Sequence, residues 1–163
     1  MFVKRYGHIG GSHSKSEHHT KRKIEQMKHN ELEHLLDAEV SFYIRMTYAD
    51  DDGSYAACYT CRTFHPVKEL DAGHYISRVN RGTRWDLRNI RPQCTSCNYY
   101  KEGRKEVFRA RLVEDIGEAA VKQLEDLAAF YGDTRRPREW LLEEIKRYRD
   151  INAKIRKRIR GLM

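Results

Sequence analysis

The stretch that decides the fold, residues 58–101, reads CYTCRTFHPVKELDAGHYISRVNRGTRWDLRNIRPQCTSCNYYK. It holds all four cysteines of the chain, as Cys58 with Cys61 and Cys94 with Cys97, and 32 residues lie between the two Cys-x-x-Cys pairs. A two-residue gap lets both sulfurs of a pair reach one ion, and two pairs complete a closed tetrahedral zinc site. The pattern predicts structural Zn²⁺ that holds the two ends of the intervening segment together.

A redox-active cysteine pair is the alternative interpretation. Neither pair lies in the strand-then-helix context of a thioredoxin-like motif, so the zinc interpretation is favoured. Four thiolates leave the ion no open coordination position. We therefore expect any chemistry to come from other residues of the stretch.

Polar side chains between and beside the cysteine pairs suit phosphodiester hydrolysis, which needs a base to activate water and a hard cation to stabilise charge. His74 can be that base near neutral pH, and Asn89 can orient its ring. Asn98 and Asp71 offer oxygen ligands of the kind that Mg²⁺ or Mn²⁺ binds. The alternative for His74 is a buried, hydrogen-bonded histidine. Its place between the two halves of the predicted zinc site favours catalysis.

Basic and aromatic residues are dense in the same stretch. The candidate DNA-binding residues are Arg78, Arg81, Arg84, Arg88, Arg91 and Lys101. The five arginines fall three or four residues apart, and Gly82 argues against a regular helix there, so a phosphate-binding rim is predicted. Trp85, Tyr99 and Tyr100 could stack on splayed bases, although packing in a small core is the favoured interpretation.

The composition points to a nucleic-acid partner. The chain has 163 residues, of which 39% are apolar and 34% are charged, and its formal net charge is +8. Such an excess of positive charge favours a polyanion. No apolar run is long enough to span a bilayer, and the polar N-terminus contains no hydrophobic signal core, so we expect a cytoplasmic protein without a membrane partner.

Periodicity divides the chain into four segments of an α+β, mostly helical protein. Residues 1–22 form a flexible basic tail whose histidines either contact DNA or bind metal. Residues 23–50 contain one long helix over about 21–47, with at most one break. Residues 54–105 form a zinc-bound core with a strand at about 70–76 and a helix from near Asn98. Residues 106–163 add helices that end at Gly117 and near Tyr131, and a last helix opened by Pro137.

These residues resemble the HNH, or ββα-metal, nuclease motif in its zinc-bearing form, since His74, Asn89 and Asn98 match its three-residue signature in order. Over about residues 40–155, the chain is similar to the NinG/Rap recombination proteins of lambda-like phages. The features that carry this similarity are residues 42–45 (FYIR), 72–75 (AGHY), 77–78 (SR), 84–86 (RWD), 89–90 (NI), 93–98 (QCTSCN), 109–117 and 121–124.

The resemblance implies a metal-dependent endonuclease that cuts branched recombination intermediates, such as Holliday junctions and D-loops, in the bacterial host cytoplasm. It implies that His74 is the general base, that Asn89 orients it and that Asn98 binds Mg²⁺. One departure is Gly73, because many HNH nucleases carry a metal ligand directly before the catalytic histidine. The second ligand is then Asp71, brought round by a bulge, or Asp86, or His74 itself.

Two other functions compete with this one. A zinc-stabilised DNA-binding recombination accessory protein without nuclease activity is the first, and Gly73 is the residue that suggests it. A sequence-specific HNH nuclease ranks lower because the short chain has no separate specificity domain. We also expect a homodimer whose seam uses the apolar stripes of the first and last long helices, with other phage or host recombination proteins as further partners.

Overall fold

The computed structural model describes residues 23–162, so the predicted basic tail lies outside the described residues. The elements are helix α1 (His29–Thr47), strands β1 (Tyr55–Ala57), β2 (Phe64–Pro66), β3 (Leu70–His74) and β4 (Ile90–Cys94), and helices α2 (Lys105–Ile116), α3 (Glu118–Tyr131) and α4 (Arg138–Leu162). The predicted fold class, α+β and mostly helical, is confirmed. Across residues 23–162, no helix combines the length and apolar character of a membrane span.

Helices α1 and α4 pack against each other and form the main core. The buried residues of this core are Leu32, Leu36, Val40 and Ile44 of α1, Leu141, Ile145 and Tyr148 of α4, and Trp85 and Ile90 of the central stretch. The i, i+4 spacing on α1 puts its leucines on one face. The apolar stripes of α1 and α4, which were proposed as a dimer seam, therefore cover each other within the chain. The core also joins residues of three predicted segments, 23–50, 54–105 and 106–163.

The start of the first helix shows one break. Residues 23–25 are helical, residues 26–28 are not, and α1 follows from His29. The backbone N–H of Lys28 donates to Glu31 Oε2 at 2.5 Å, which satisfies one of the donors left open at a helix start.

The four strands form two antiparallel hairpins. In the first, β1 pairs with β2. In the second, Leu70 lies opposite Cys94 and His74 lies opposite Ile90, so β3 ends at His74 rather than at the predicted Ile76. A loop of residues 75–89 joins β3 to β4. This pairing places one cysteine at one end of the hairpin and the candidate base at the other.

A helix is present near Asn98, as predicted, but the prediction of its length is wrong. It is a single π-helical turn, Ser96–Tyr100, and α2 begins only at Lys105. Between them Glu102, Gly103 and Arg104 all have positive φ, at 50°, 78° and 46°. Left-handed residues cannot continue a right-handed helix, which explains the interruption.

Helices α2 and α3 end where the glycines predicted, with Gly117 between them and Gly132 after α3. A second core, the cysteine core, consists of Met46, Ala56, Val67 and Leu70 with Cys58, Cys94 and Cys97. Helices α2 and α3 enclose a third small core, made of Tyr59, Phe108, Leu112 and Val121. Tyr59 belongs to the first cysteine pair segment, and its hydroxyl donates to Asp115 Oδ2 on α2 at 2.7 Å. The cysteine region is thereby attached to the C-terminal helices.

Candidate functional site

The four cysteines come together at the base of the β3–β4 hairpin. Their sulfur atoms all lie within 4.8 Å of one another, and Cys61 Sγ is 3.9 Å from Cys94 Sγ. Zinc–thiolate bonds of about 2.3 Å in a tetrahedron place sulfur atoms about 3.8 Å apart. The set is also mostly buried. The four thiols could therefore hold a zinc ion.

Local hydrogen bonds already favour a thiolate in this cluster. Burial raises the pKa of the Cys58 thiol, but hydrogen bonds from the backbone N–H of Cys61 and from Thr60 outweigh burial and bring that pKa to about 6. Burial and the neighbouring sulfurs of Cys97 and Cys58 raise the pKa of Cys94 to about 12. One thiol of the cluster thus ionises readily and one does not. A bound cation would favour the thiolate form of all four.

A groove of about 840 Å³ lies between α1 and the β3–β4 hairpin and extends along the turn that follows Cys97. Asp71, His74 and Asn98 all line it. Three of the four predicted catalytic residues therefore share one groove, although Asp71 and His74 are three residues apart on a strand. The groove also receives Arg78 from the loop and Lys105 from the start of α2.

The ring of His74 lies between two backbone carbonyl groups. Its Nδ1 is 3.1 Å from the Ala72 oxygen, and its Nε2 is 3.0 Å from the Arg84 oxygen. Burial lowers the pKa of His74 below its ordinary value, against the opposing effect of these carbonyls and of Asp37. The imidazole is therefore neutral at pH 7, which is the form that a general base needs.

Asn89 contacts the loop rather than the ring of His74. Its side-chain oxygen accepts from the N–H of Ile76 at 2.7 Å, and its Nδ2 donates to the carbonyls of Ile76 and Thr83 at 2.9 and 3.0 Å. The side chain is fully buried. The prediction that Asn89 orients His74 directly is wrong, because its hydrogen bonds fasten the loop of residues 75–89 that presents the Arg84 carbonyl.

Asp71 and Asn98 adjoin each other in the groove, with Asn98 Nδ2 donating to Asp71 Oδ2 at 3.2 Å. Asp86, the alternative second metal ligand, does not line the groove. Both of its oxygens accept from Arg88, and it caps the turn at Leu87–Asn89. Of the two alternative carboxylates, Asp71 alone faces the groove with His74.

The buried side chain of Gln93 occupies the space that a side chain at position 73 would need. A Cβ at position 73 would lie 2.0 Å from Gln93 Oε1. Gln93 is fixed there because its Nε2 donates to Thr60 Oγ1 and to the Gly103 carbonyl at 3.2 and 2.9 Å. Its Oε1 is buried without a hydrogen-bond partner among the described residues and faces the Gly73 Cα–H. A side chain at the position before His74 would therefore have to displace the buried side chain of Gln93.

The structure does not place the predicted arginines in one rim. Arg78 is exposed and lines the groove, while Arg84 also lines it but pairs with Asp37. Arg81 lies near Glu33, and Arg88 pairs with Asp86. These ion pairs occupy the guanidinium groups with carboxylates of the same chain.

Arg91 is part of the interior rather than of a rim. It is buried, its NH1 donates to the carbonyls of Leu87 and Ile90, and its guanidinium lies over the rings of Tyr48 and Tyr59. Lys101 is exposed, beside the groove-lining turn. Arg78 and Lys101 are thus the two predicted DNA-binding residues that stay accessible.

The sequence interpretation missed Asp37 of α1. Its carboxylate accepts from Arg84 Nε at 3.0 Å and from Trp85 Nε1 at 2.9 Å, and so fixes the loop segment whose carbonyl touches His74. Asp37 also lines the groove together with His34 and Ser41 of the same helix. The i, i+3 and i+7 spacing of His34, Asp37 and Ser41, which puts them on one polar face, was the available signal.

Comparison with known proteins places the chain among phage proteins. The family model described as Bacteriophage Lambda NinG protein matches residues 11–161. Protein ninG of Salmonella phage P22 is 36% identical over 106 residues, and those of Escherichia phages 933W and lambda are 32% and 30% identical over 106 residues. Each alignment covers 64% of this chain and 47% of the relative.

The chain thus spans about half the length of the curated relatives that it matches. No solved structure matches it significantly. The family match, in contrast, runs through all of the described elements and includes both cysteine pairs and the groove. The chain belongs to the family of the bacteriophage lambda NinG protein.

Proposed function

We propose that the chain is a metal-dependent, structure-selective DNA endonuclease that cleaves branched recombination intermediates, such as Holliday junctions and D-loops, in the cytoplasm of a phage-infected bacterium. The observation that carries this proposal is the placement of Asp71, His74 and Asn98 on one groove beside the four-cysteine cluster. A ββα-metal nuclease needs a histidine base and oxygen ligands at one place. Membership of a phage family and the net positive charge agree with this role.

His74 would take the proton from the attacking water. A neutral imidazole donates from one nitrogen only, so one of its two carbonyl contacts has no proton between the heavy atoms. Because Nε2 and the Arg84 oxygen are only 3.0 Å apart, the attacking water would reach Nε2 when the loop that carries Arg84 moves away and the water takes the place of that carbonyl. Donation from Nδ1 to the Ala72 carbonyl would fix the required tautomer. The base would thus hold its water at Nε2 once the loop has moved.

Asp71 and Asn98 are the candidate ligands of Mg²⁺ or Mn²⁺. Their oxygen-bearing side chains already touch across the groove, and carboxylate and amide oxygens suit these cations. Such a cation, when bound, stabilises negative charge on the phosphate and the leaving oxygen. Zinc at the four cysteines would have a separate task, since it would join the segment between β1 and β2, which carries Cys58 and Cys61, to the end of β4 and to the turn that carries Asn98.

A zinc-stabilised accessory protein that binds branched DNA without cutting it is the second candidate. Two observations favour it: Gln93 closes the position before His74 to any metal ligand, and both ring nitrogens of His74 lie against carbonyls. Homodimerisation stays a proposal for either candidate. Because α1 and α4 cover each other's apolar stripes, a dimer would need a different surface.

A cleavage assay with two substrates tests the proposal. Wild type and His74→Ala are compared on a four-way junction and on a linear duplex of the same sequence, with Mg²⁺ or Mn²⁺. We expect the wild type to cut the junction in preference, and His74→Ala to cut at least about a hundredfold more slowly because the base is gone. Junction affinity should not change.

His34→Ala is the matched control, because His34 lies in the same groove but is exposed on α1. Its rate should stay within a few-fold of wild type. Unchanged cutting by His74→Ala would exclude His74 as the base. Tight binding of the junction with no cutting under either cation would favour the accessory protein.

A further inference from the structure

Two neighbouring aromatic side chains beside the groove are exposed to solvent. Tyr99 and Tyr100 are 75% and 77% exposed, and their rings meet edge to face with centroids 5.2 Å apart. The sequence favoured core packing for both and for Trp85. That prediction holds for Trp85, which is 9% exposed, and is wrong for the tyrosines. Exposed aromatic pairs of this kind are typical of binding surfaces.

The turn that carries the two tyrosines is held at both ends. On one side Cys94 and Cys97 belong to the sulfur cluster. On the other side the chain bends sharply through the positive-φ residues at 102–104, and the Gly103 carbonyl accepts from buried Gln93. The backbone that carries the two rings is therefore held in place, and each tyrosine side chain has only two χ angles left to order. A fixed aromatic surface loses little conformational entropy when a flat ligand stacks on it.

The surroundings of the tyrosines suit a nucleic acid. Tyr99 lines the same groove as His74, and Asn98 directly precedes it. Lys101 and Lys105 follow within six residues of Tyr99 and are exposed. Neither lysine forms an ion pair with another residue in the described range, 23–162. Although Glu102 lies between the two lysines and lines the groove, aromatic faces beside lysine amines that make no ion pair match bases attached to a phosphate backbone.

We propose that Tyr99 and Tyr100 form a stacking platform for unpaired bases next to the groove. The inference rests on the proposed function in one respect, which is that the ligand is DNA. Bases inside a linear duplex are already stacked and gain nothing from the platform. Bases that are unpaired at a branch or in a single strand gain a stacking partner. The platform would thus select branched DNA without reading its sequence.

Binding measurements on three DNA probes test the platform. Fluorescence anisotropy is recorded without added divalent cation on a single strand, a duplex bearing a single-stranded flap, and a linear duplex. Tyr99→Ala and Tyr100→Ala should each weaken binding to the first two probes by about tenfold, in the range known for base stacking on aromatic residues. Affinity for the linear duplex should stay within twofold.

Three variants serve as controls. Tyr99→Phe and Tyr100→Phe keep the ring and should bind all probes like wild type. Phe130→Ala removes an aromatic ring that is 78% exposed on α3 and does not line the groove, and it should also bind like wild type. Thermal unfolding of each variant checks that the fold is kept.

Several results would overturn the platform. These are unchanged flap affinity in the Tyr99→Ala, Tyr100→Ala double variant, an equal loss on linear duplex, or a change in oligomeric mass by light scattering in place of a change in affinity. The proposed nuclease fails separately. If the protein uses the tyrosines to bind flaps but never cuts DNA, the platform stands and the nuclease proposal fails. If the wild type cuts DNA and the double variant binds flaps as tightly as the wild type, the nuclease proposal stands and the platform fails.

Discussion

At position 73 the chain has a glycine because Gln93 fills the space that a side chain would need. Gln93 is buried, and it links three parts of the site region: the first cysteine pair through Thr60, the turn after Asn98 through Gly103, and β3 through its contact with Gly73. The sequence showed only that a ligand was missing before His74. The structure adds that the side chain of Gln93 fills the space that such a ligand would occupy.

This arrangement predicts a steric coupling between Gly73 and Gln93. Gly73→Ala should lower the free energy of unfolding by about 1–3 kcal/mol, since the new Cβ must displace a buried side chain. The cost should be smaller in a Gln93→Ala background, and urea denaturation of the double-mutant cycle measures the coupling. Gly161→Ala is the control, because its Cβ would meet nothing. Equal costs in both backgrounds would contradict the contact.

His74 gives a pH-dependent prediction. Burial lowers its pKa in the folded chain below the ordinary 6.5, so the unfolded chain takes up the proton first. Stability from this group is complete above about pH 6.5 and falls as the pH drops below that value. Between about pH 7.5 and pH 5.5, the wild type should therefore lose more unfolding free energy than His74→Ala.

Chemical denaturation at both pH values measures this difference. His34→Ala is the control for the removal of a histidine as such, because His34 is exposed on α1. An equal loss in wild type and His74→Ala would mean that burial does not hold the His74 ring neutral. The same lowered pKa should place the acid limb of a cleavage pH profile below about 6.5.

At the scale of elements, the sequence predicted the helices well and the central turns poorly. The apolar period and the glycines located α2 and α3. Strand β4 was missed, because it carries Arg91, Pro92 and Gln93, which local preference places outside strands. It is buried because the cysteine cluster and the cores on both sides enclose it. Such enclosure depends on contacts between distant residues, which periodicity does not record.

Zinc binding at the cysteine cluster should stabilise the two hairpins more than it stabilises the helices. With zinc bound, we expect one ion per wild-type chain by elemental analysis. Cys61→Ser should lose the ion and unfold the strand region, because metal-binding free energy in such sites is folding free energy. Loss of strand signal by circular dichroism and a lower urea midpoint would report it.

Thr95→Ser is the matched control for zinc, since Thr95 is exposed and directly follows Cys94 without offering sulfur. It should keep one ion and the wild-type midpoint. A wild-type chain without zinc, or a Cys61→Ser variant with full zinc and unchanged unfolding, would contradict the assignment.

At the scale of the whole molecule, positive charge collects away from the groove as well as beside it. The last part of α4, residues 151–162, has five basic residues and no acidic one. Ile155 and Ile159 pack inward near the cysteine core, while Lys154, Lys157 and Arg158 are exposed. Cations suit a helix C-terminus, but this density exceeds what the helix dipole requires. The helix end is therefore a second candidate for binding phosphate groups.

Replacing Lys154, Lys157 and Arg158 together by Gln should lower the slope of log affinity against log salt by about 0.9 for each phosphate that the variant no longer neutralises. Titrations on linear duplex at several salt concentrations measure this slope. Lys122→Gln is the control, because the Lys122 amine pairs with Asp126 on α3. An unchanged slope in the triple variant would show that the end of α4 does not touch DNA.

The shared core of α1, α4, Trp85 and Ile90 has a consequence for moving residues 54–105 into another protein. Asp37 and its helix form one wall of the groove, and α4 supports that helix from behind. Residues 54–105 cut out alone would lose that wall and leave Trp85 and Ile90 bare. Residues 54–105 should therefore not fold as an independent unit, and any graft or truncation must include both α1 and α4.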